Sequence, residues 1–185
     1  MDSFKVRYDR RVKAVGREDF YRFSSDKLTV PEAIKKQYQR SGAALFAFLR
    51  TELDAISRKY PGIVLSGVYF GQYGVSGIVA YSAVINYARG LGLLTVCDEN
   101  KRVTADNADF ARLAYLARPD GADRSETGNI PLEEHGFNAD AVTVAPDSEK
   151  NGLERLTEAA KTAGRDLMLP DESGRLKGVL SGVSV

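Results

Sequence analysis

The feature that most constrains this chain is a repeated alternation of short apolar runs with longer stretches of helical spacing. Leu45, Leu49, Leu53 and Ile56 recur at the interval of one helix face, within a helix predicted over residues 31–59. Thr29 and Glu32 fit a capping box, Pro31 fits a first turn, and Ser41-Gly42 marks an interruption or a kink. Pro61-Gly62 closes that helix and opens the apolar run 63–70. A further helix starts at Gly74 to Gly77, places Ile78, Tyr81, Ile85 and Ala88 on one face, and ends at Gly90 and Gly92. The run 93–97 is the next strand. Phe110, Leu113, Ala114 and Ala117 form another helical stripe, stopped by Pro119-Asp120-Gly121. Residues 141–145 read as a strand, Leu153, Leu156 and Ala160 as a helix face, Gly164 as its end, and 167–169 as a last strand. Residues 11–16 read as a short first strand. Parallel strands need a crossover that is usually a helix, so this alternation predicts βα units around a parallel sheet. The chain reads as a single α/β domain over residues 1–185, with a Gly- and Ser-rich tail, 171–185, expected either to be flexible or to pack through its Val and Leu residues.

Composition excludes several classes. At 185 residues with 43% apolar and 28% charged side chains, the chain is an ordinary globular protein. Its net charge of +1 gives no field that would favour nucleic acid or an anionic membrane. The seven Lys and Arg against four acids in the first 22 residues read as a solvated basic arm. A single cysteine, Cys97, rules out an internal disulfide and a Cys-based zinc site. One histidine, His135, gives no basis for a histidine metal cluster or a Ser-His triad. No run approaches the roughly 20 apolar residues that span a bilayer. The first residues lack the apolar core of a signal peptide, so a cytoplasmic location is expected.

Chemistry is sought first at residues 92–102, where the apolar run ends in Asp98, Glu99, Asn100 and Lys101. Ligands of parallel sheets gather at the carboxyl ends of the strands. The same residues also fit a solvated strand-to-helix loop. Gly67, Gly71, Gly74 and Gly77 fit either a phosphate cradle or plain βα turns. The segment 125–129 fits a lid or plain surface. Asp147-Ser148-Glu149 fits a ligand site or an acidic helix start.

Three blocks resemble the orotidine 5′-phosphate decarboxylase family of (β/α)-barrels. The first is Val68-Tyr69-Phe70-Gly71-Gln72-Tyr73-Gly74-Val75-Ser76-Gly77, similar to an aromatic-rich strand end followed by Tyr-Gly-x-x-Gly. The second is Ala88-Arg89-Gly90-Leu91-Gly92-Leu93-Leu94 leading to Asp98, similar to the approach to an Asp-x-Lys-x-x-Asp motif. The third runs from Ala139-Asp140 through Val142, Thr143 and Pro146 to Gly152-Leu153-Glu154, Ala159-Ala160-Lys161 and Gly164-Arg165. The resemblance implies a charge network of two Lys and two Asp, in which carboxylates press on the substrate carboxylate and a Lys protonates the carbon that loses carbon dioxide. Here Asp98 matches, but Asn100 stands at the Lys position, Val103 at the second Asp and Val64 at the strand-two Lys. Lys101 lies one residue from the motif position.

The resemblance implies a TIM-barrel-like fold. A full eight-stranded barrel takes about 250 residues, so an incomplete or shortened barrel is expected. Unpaired sheet edges in such a barrel favour association, and a homo-oligomer is expected. The implied function is that of an orotidine 5′-phosphate decarboxylase-like protein acting on or binding a phosphorylated nucleoside or sugar. Its chemistry, where catalytic, is of the lyase type, and its ligand is a small phosphorylated molecule, with no nucleic acid or membrane partner. Asp98 and Lys101 are its candidate catalytic pair, and Asp19, Asn100 and Thr143 its candidate substrate contacts. No metal and no cofactor are expected. The alternative is a non-catalytic descendant with a nucleotide-binding, regulatory or assembly role.

Overall fold

The computed structural model describes residues 2–24, 26–116, 137–171 and 175–185. The Pro119-Asp120-Gly121 stop, the segment 125–129 and His135 lie outside the described residues, as do Ala117 and the side chains of Phe110 and Leu113. The chain divides into two compact units, residues 8–99 and residues 1–7 with 100–185.

Helix α1 (Phe4–Val15) runs through the boundary at Arg7. Residues 11–16, read from the sequence as a strand, are therefore mostly helical. The helical stripe begins upstream of that window, where Phe4 and Tyr8 are buried at i and i+4. The Ser3 hydroxyl accepts the Val6 N–H at 3.4 Å, closing the first turn.

In the unit of residues 8–99, β1 (Tyr21–Arg22), β2 (Gly62–Leu65) and the first residues of β3 (Leu94–Lys101) pair in parallel. Tyr21 and Arg22 stand opposite Ile63 and Val64, and Val64 opposite Val96. The helix predicted over 31–59 is two helices, α2 (Glu32–Lys35) and α3 (Ser41–Ile56). The first piece buries no side chain, and a short helix without a buried face has little to extend it. Pro31 is its N-cap and no side chain caps it, so the Thr29–Glu32 capping box does not form. Ser41-Gly42 marks an interruption and not a kink, since α3 begins at Ser41. The α3 stripe is as its spacing indicates: Leu45, Leu49, Leu53 and Ile56 are all buried.

The apolar run 63–70 splits into β2 and the short helix α4 (Gly67–Gly71). Helix α5 (Gly74–Gly90) buries Tyr81, Ile85 and Ala88, while Ile78 is exposed and Gly77 and Val84 complete the inner face. Gly92, at φ 78°, reverses the chain into β3.

The other unit contains α6 (Ala108–Ala111) with a π-type turn at Arg112–Leu116, β4 (Ala141–Val144), α7 (Lys150–Thr162), β5 (Asp166–Pro170) and β6 (Leu176–Gly178). Strands β4 and β5 are parallel, and β6 returns antiparallel to β5. Of the predicted α7 face, Leu156 and Ala160 are buried and Leu153 is half-buried. In the tail segment, β6 buries Leu176, and Val183 is buried beyond it. The buried Asp166 carboxylate accepts the N–H groups of Leu180 (2.9 Å) and Ser181 (3.1 Å) and the Ser181 hydroxyl. Among the described residues, no helix is long and apolar enough to cross a membrane.

Asp140, at the amino end of β4, is 1% exposed and accepts from both Arg7 and Arg165. Arg165 also donates to Asn138 Oδ1 at 2.6 Å, and Arg7 to the Gly164 carbonyl at 2.9 Å. Removing one member of a buried pair strands the others without compensation, at roughly 3–5 kcal/mol. Asp140→Ala is therefore expected to lower stability in urea by about that much. Asp19→Ala, which breaks the exposed Arg17–Asp19 pair, should cost less than about 1 kcal/mol in the same measurement.

Candidate functional site

Parallel register decides which strand residues share a face. Side chains alternate along a strand, and register-paired residues of neighbouring strands point the same way. Arg22, Val64 and Val96 therefore lie on one face, and Asp98, two residues beyond Val96, lies there too. Tyr21, Ile63, Leu65, Thr95, Cys97 and Glu99 lie on the other. That second face meets the helices: the Tyr21 hydroxyl donates to Glu52 of α3 at 2.7 Å, and the Tyr81 hydroxyl of α5 donates to Glu99 at 2.9 Å.

At the carboxyl edge the two adjacent acids thus take opposite directions. Asp98, 26% exposed, forms an ion pair with Arg22, which is 46% exposed. Glu99 is held by two donors, Tyr81 and the Gly67 N–H at 2.8 Å. A side chain at position 67 would put its Cβ 2.9 Å from Glu99 Oε1, so the carboxylate would have to shift to admit one. Burial, then the neighbouring Cys97 and Glu99, push the Tyr81 hydroxyl well above its usual value. Tyr81 is therefore a neutral hydrogen-bond donor at physiological pH.

Of the sequence candidates, the structure brings Asn100 and Thr143 together: the Asn100 N–H donates to Thr143 Oγ1 at 2.6 Å. Asn100 adopts φ 44°, a left-handed conformation uncommon outside glycine. The strand alternation is broken at that residue, so the side of Lys101 does not follow from counting. Lys101 is exposed, and its carbonyl accepts the Ala145 N–H at 3.0 Å. Asp19 lies two residues before β1 and pairs at the surface with Arg17 at 3.1 Å. Val64 and Val103 are buried, so neither offers charge. Arg22 and Tyr81 are the members that sequence reasoning missed, while Glu99 and Gly67 stood in stretches it singled out without these partners. Asp147 and Glu149 face the guanidinium of Arg102 at 3.6 and 3.8 Å, and Glu149 is the N-cap residue of α7. Among the described residues, no group of three His, Cys, Asp or Glu side chains is placed to hold a metal ion.

A cavity of about 640 Å³ opens at the opposite, amino end of β2 and β3, where α1, α3 and α5 terminate. Arg11 lines it and donates to the carbonyls of Ser57 (2.5 Å) and Tyr60 (3.2 Å), closing the carboxyl end of α3. That is a helix-terminating role, and the amino end of parallel strands serves stability more than chemistry.

Unfolding frees the Tyr81 hydroxyl to ionise near 10 while the folded protein keeps it protonated. The unfolded state then loses the proton first, and stability falls as pH rises above 10. Urea unfolding between pH 9 and 11.5 is expected to show this alkaline loss. Tyr81→Phe should make it shallower by up to about 1.4 kcal/mol per pH unit. The same variant should lower stability at neutral pH by about 1–3 kcal/mol, because Glu99 loses a donor.

No protein-family model matches the chain, and neither does any curated protein sequence. Solved structures do. A protein described as an orotidine 5′-phosphate decarboxylase from Streptomyces avermitilis is similar with a TM-score of 0.63 at 19% identity, over 94% of this chain and 56% of that one. The UMP synthase of Leishmania donovani gives 0.62 at 17%, over 91% and 30%. The OMP decarboxylase of the same organism gives 0.58 at 17%, over 90% and 52%. The chain spans about half the length of the two decarboxylases and less than a third of the synthase. The likeness follows nine-tenths of this chain. The fold of this chain is therefore that of the orotidine 5′-phosphate decarboxylase structures, a (β/α)-barrel architecture of which it spans a part.

Proposed function

We propose that the chain binds a phosphorylated nucleoside or sugar at the carboxyl edge of β1–β3, with Asp98 as its central charged group. The observation that carries this reading is the Arg22–Asp98 pair, half-exposed beyond an apolar floor of Val64 and Val96. Carboxyl edges of parallel strands are where such folds bind ligands. The fold shared with decarboxylase and UMP synthase structures supports the nucleotide class.

Orotidylate decarboxylation fits this arrangement poorly. Its network needs a second carboxylate on the Asp98 face. Glu99 is turned to the helices and already bonded, and Val103 replaces the other acid. Binding without that reaction is the better-supported reading. Where catalysis of the lyase type persists, Asp98 and Lys101 are the groups to substitute, and Asp19, Asn100 and Thr143 remain proposed substrate contacts.

We also propose self-association through α4 and α5. Residues 60–88 contain no charged side chain. Val75 and Val79 are 83% and 65% exposed, beside exposed Val68, Tyr69 and Ile78. An uncharged apolar face can meet its own copy without like-charge repulsion.

Uridine and orotidine monophosphates at about 100 times their Kd should raise stability by about 2.7 kcal/mol, an upward shift of several degrees in thermal unfolding. Asp98→Ala should abolish the shift, and carbon dioxide release from orotidylate should be absent. No shift with either nucleotide overturns the reading. Light scattering should give at least twice the 20.2 kDa chain mass, falling to one chain in Val75→Asp/Val79→Asp. A wild-type monomer would refute the association.

A further inference from the structure

Arg22 has no role in the sequence reading, yet the register places it at the centre of the charged edge. It stands opposite Val64, the position at which the family resemblance leads one to look for a cation. It reaches Asp98 on the same face, beyond Val96 of β3. We infer that Arg22 supplies from β1 the cation that β2 lacks, and that it is the contact for an oxyanion of the bound ligand, either phosphate or carboxylate. This inference rests on the nucleotide-binding reading.

Three features of the site support it. A guanidinium carries five N–H donors in a planar fork, and the bond to Asp98 uses only Nη1. The remaining fork is suited to a second, bidentate oxyanion. Nearly half of the side chain is exposed at the edge, whereas Val64 and Val96 are 2% and 0% exposed. Finally, Glu99 does not compete. Its carboxylate is on the helix face and engaged by Gly67 and Tyr81, so among the described residues Asp98 is the acid that Arg22 pairs with.

The arrangement also gives Arg22 a positioning role. Its bond to Asp98 holds that carboxylate at the strand edge, beside the place proposed for the ligand. Lysine would keep the charge and lose the fork, and glutamine would lose both the charge and the cationic donors.

The test compares wild type, Arg22→Gln, Arg22→Lys and the exchange variant Arg22→Val/Val64→Lys. Binding is measured by calorimetry with uridine monophosphate (phosphate only), orotidine (carboxylate only) and uridine (neither). Arg22→Gln is expected to weaken one of the two anionic ligands by about ten-fold or more while leaving uridine unchanged. The anionic ligand that loses affinity identifies the oxyanion held. Arg22→Lys, which keeps the charge and loses the fork, should recover only part of that loss, and so should the exchange variant, which returns the cation to β2. Should burial of a lysine at 64 prevent folding, the Gln and Lys variants decide alone. Thermal unfolding without ligand should be nearly equal for wild type, Gln and Lys, since the side chain is half-exposed. Equal affinity of Arg22→Gln and wild type for every anionic ligand that the wild type binds overturns this inference and leaves the nucleotide reading standing. A wild type that binds none of the three overturns both.

Discussion

The parallel register of three short strands is the constraint on which the rest of the site depends. Backbone hydrogen bonding sets Arg22 level with Val64 and Val64 level with Val96. Once those pairs are fixed, the strand period of two leaves no freedom over which face each side chain takes. A slip of one residue would send Asp98 to the helices and bring Glu99 to the opposite face. The ion pair and the Tyr81–Glu99–Gly67 cluster are therefore two consequences of one register.

Each cluster serves its own side. On the helix face, the Glu99 carboxylate is satisfied by a neutral phenol and a backbone amide, so it is an anchor between β3 and the α4–α5 region. On the other face, Asp98 meets a flexible, half-exposed guanidinium above valines. In the unit of residues 1–7 and 100–185, buried carboxylates are used the first way. Asp140 is locked by two arginines, and Asp166 ties down the turn after β6. The contrast is between acids that are fully engaged inside the fold and one that keeps an exposed partner at a strand end.

Much of the fold was legible from spacing. The α3 leucines, the buried α5 residues Tyr81, Ile85 and Ala88, and the strands around residues 62–65, 94–97 and 141–144 follow from periodicity, because an apolar stripe at period 3.6 or an apolar run has few ways to be buried. Where the reading departed from the structure, a local signal was overruled by distant packing. Val12 and Val15 suggested a strand, but the stripe that mattered began with Phe4 and Tyr8. Thr29 and Glu32 matched a capping box, but the helix they would have capped has no buried face to sustain it.

The site divides in the same way. The sequence by itself determined that acids cluster at the end of an apolar strand and that Asp98 is among them. Composition and periodicity are local properties, so a single chain displays them. Only the tertiary structure decided that Asp98 and Glu99 part company, that Tyr81 and Gly67 claim the second, and that Arg22 answers the first. Those partners are 18, 32 and 76 residues away. A two-residue strand such as β1 carries no periodic signal of its own. Its place is set by backbone pairing with β2, and that pairing exists only once the chain has folded.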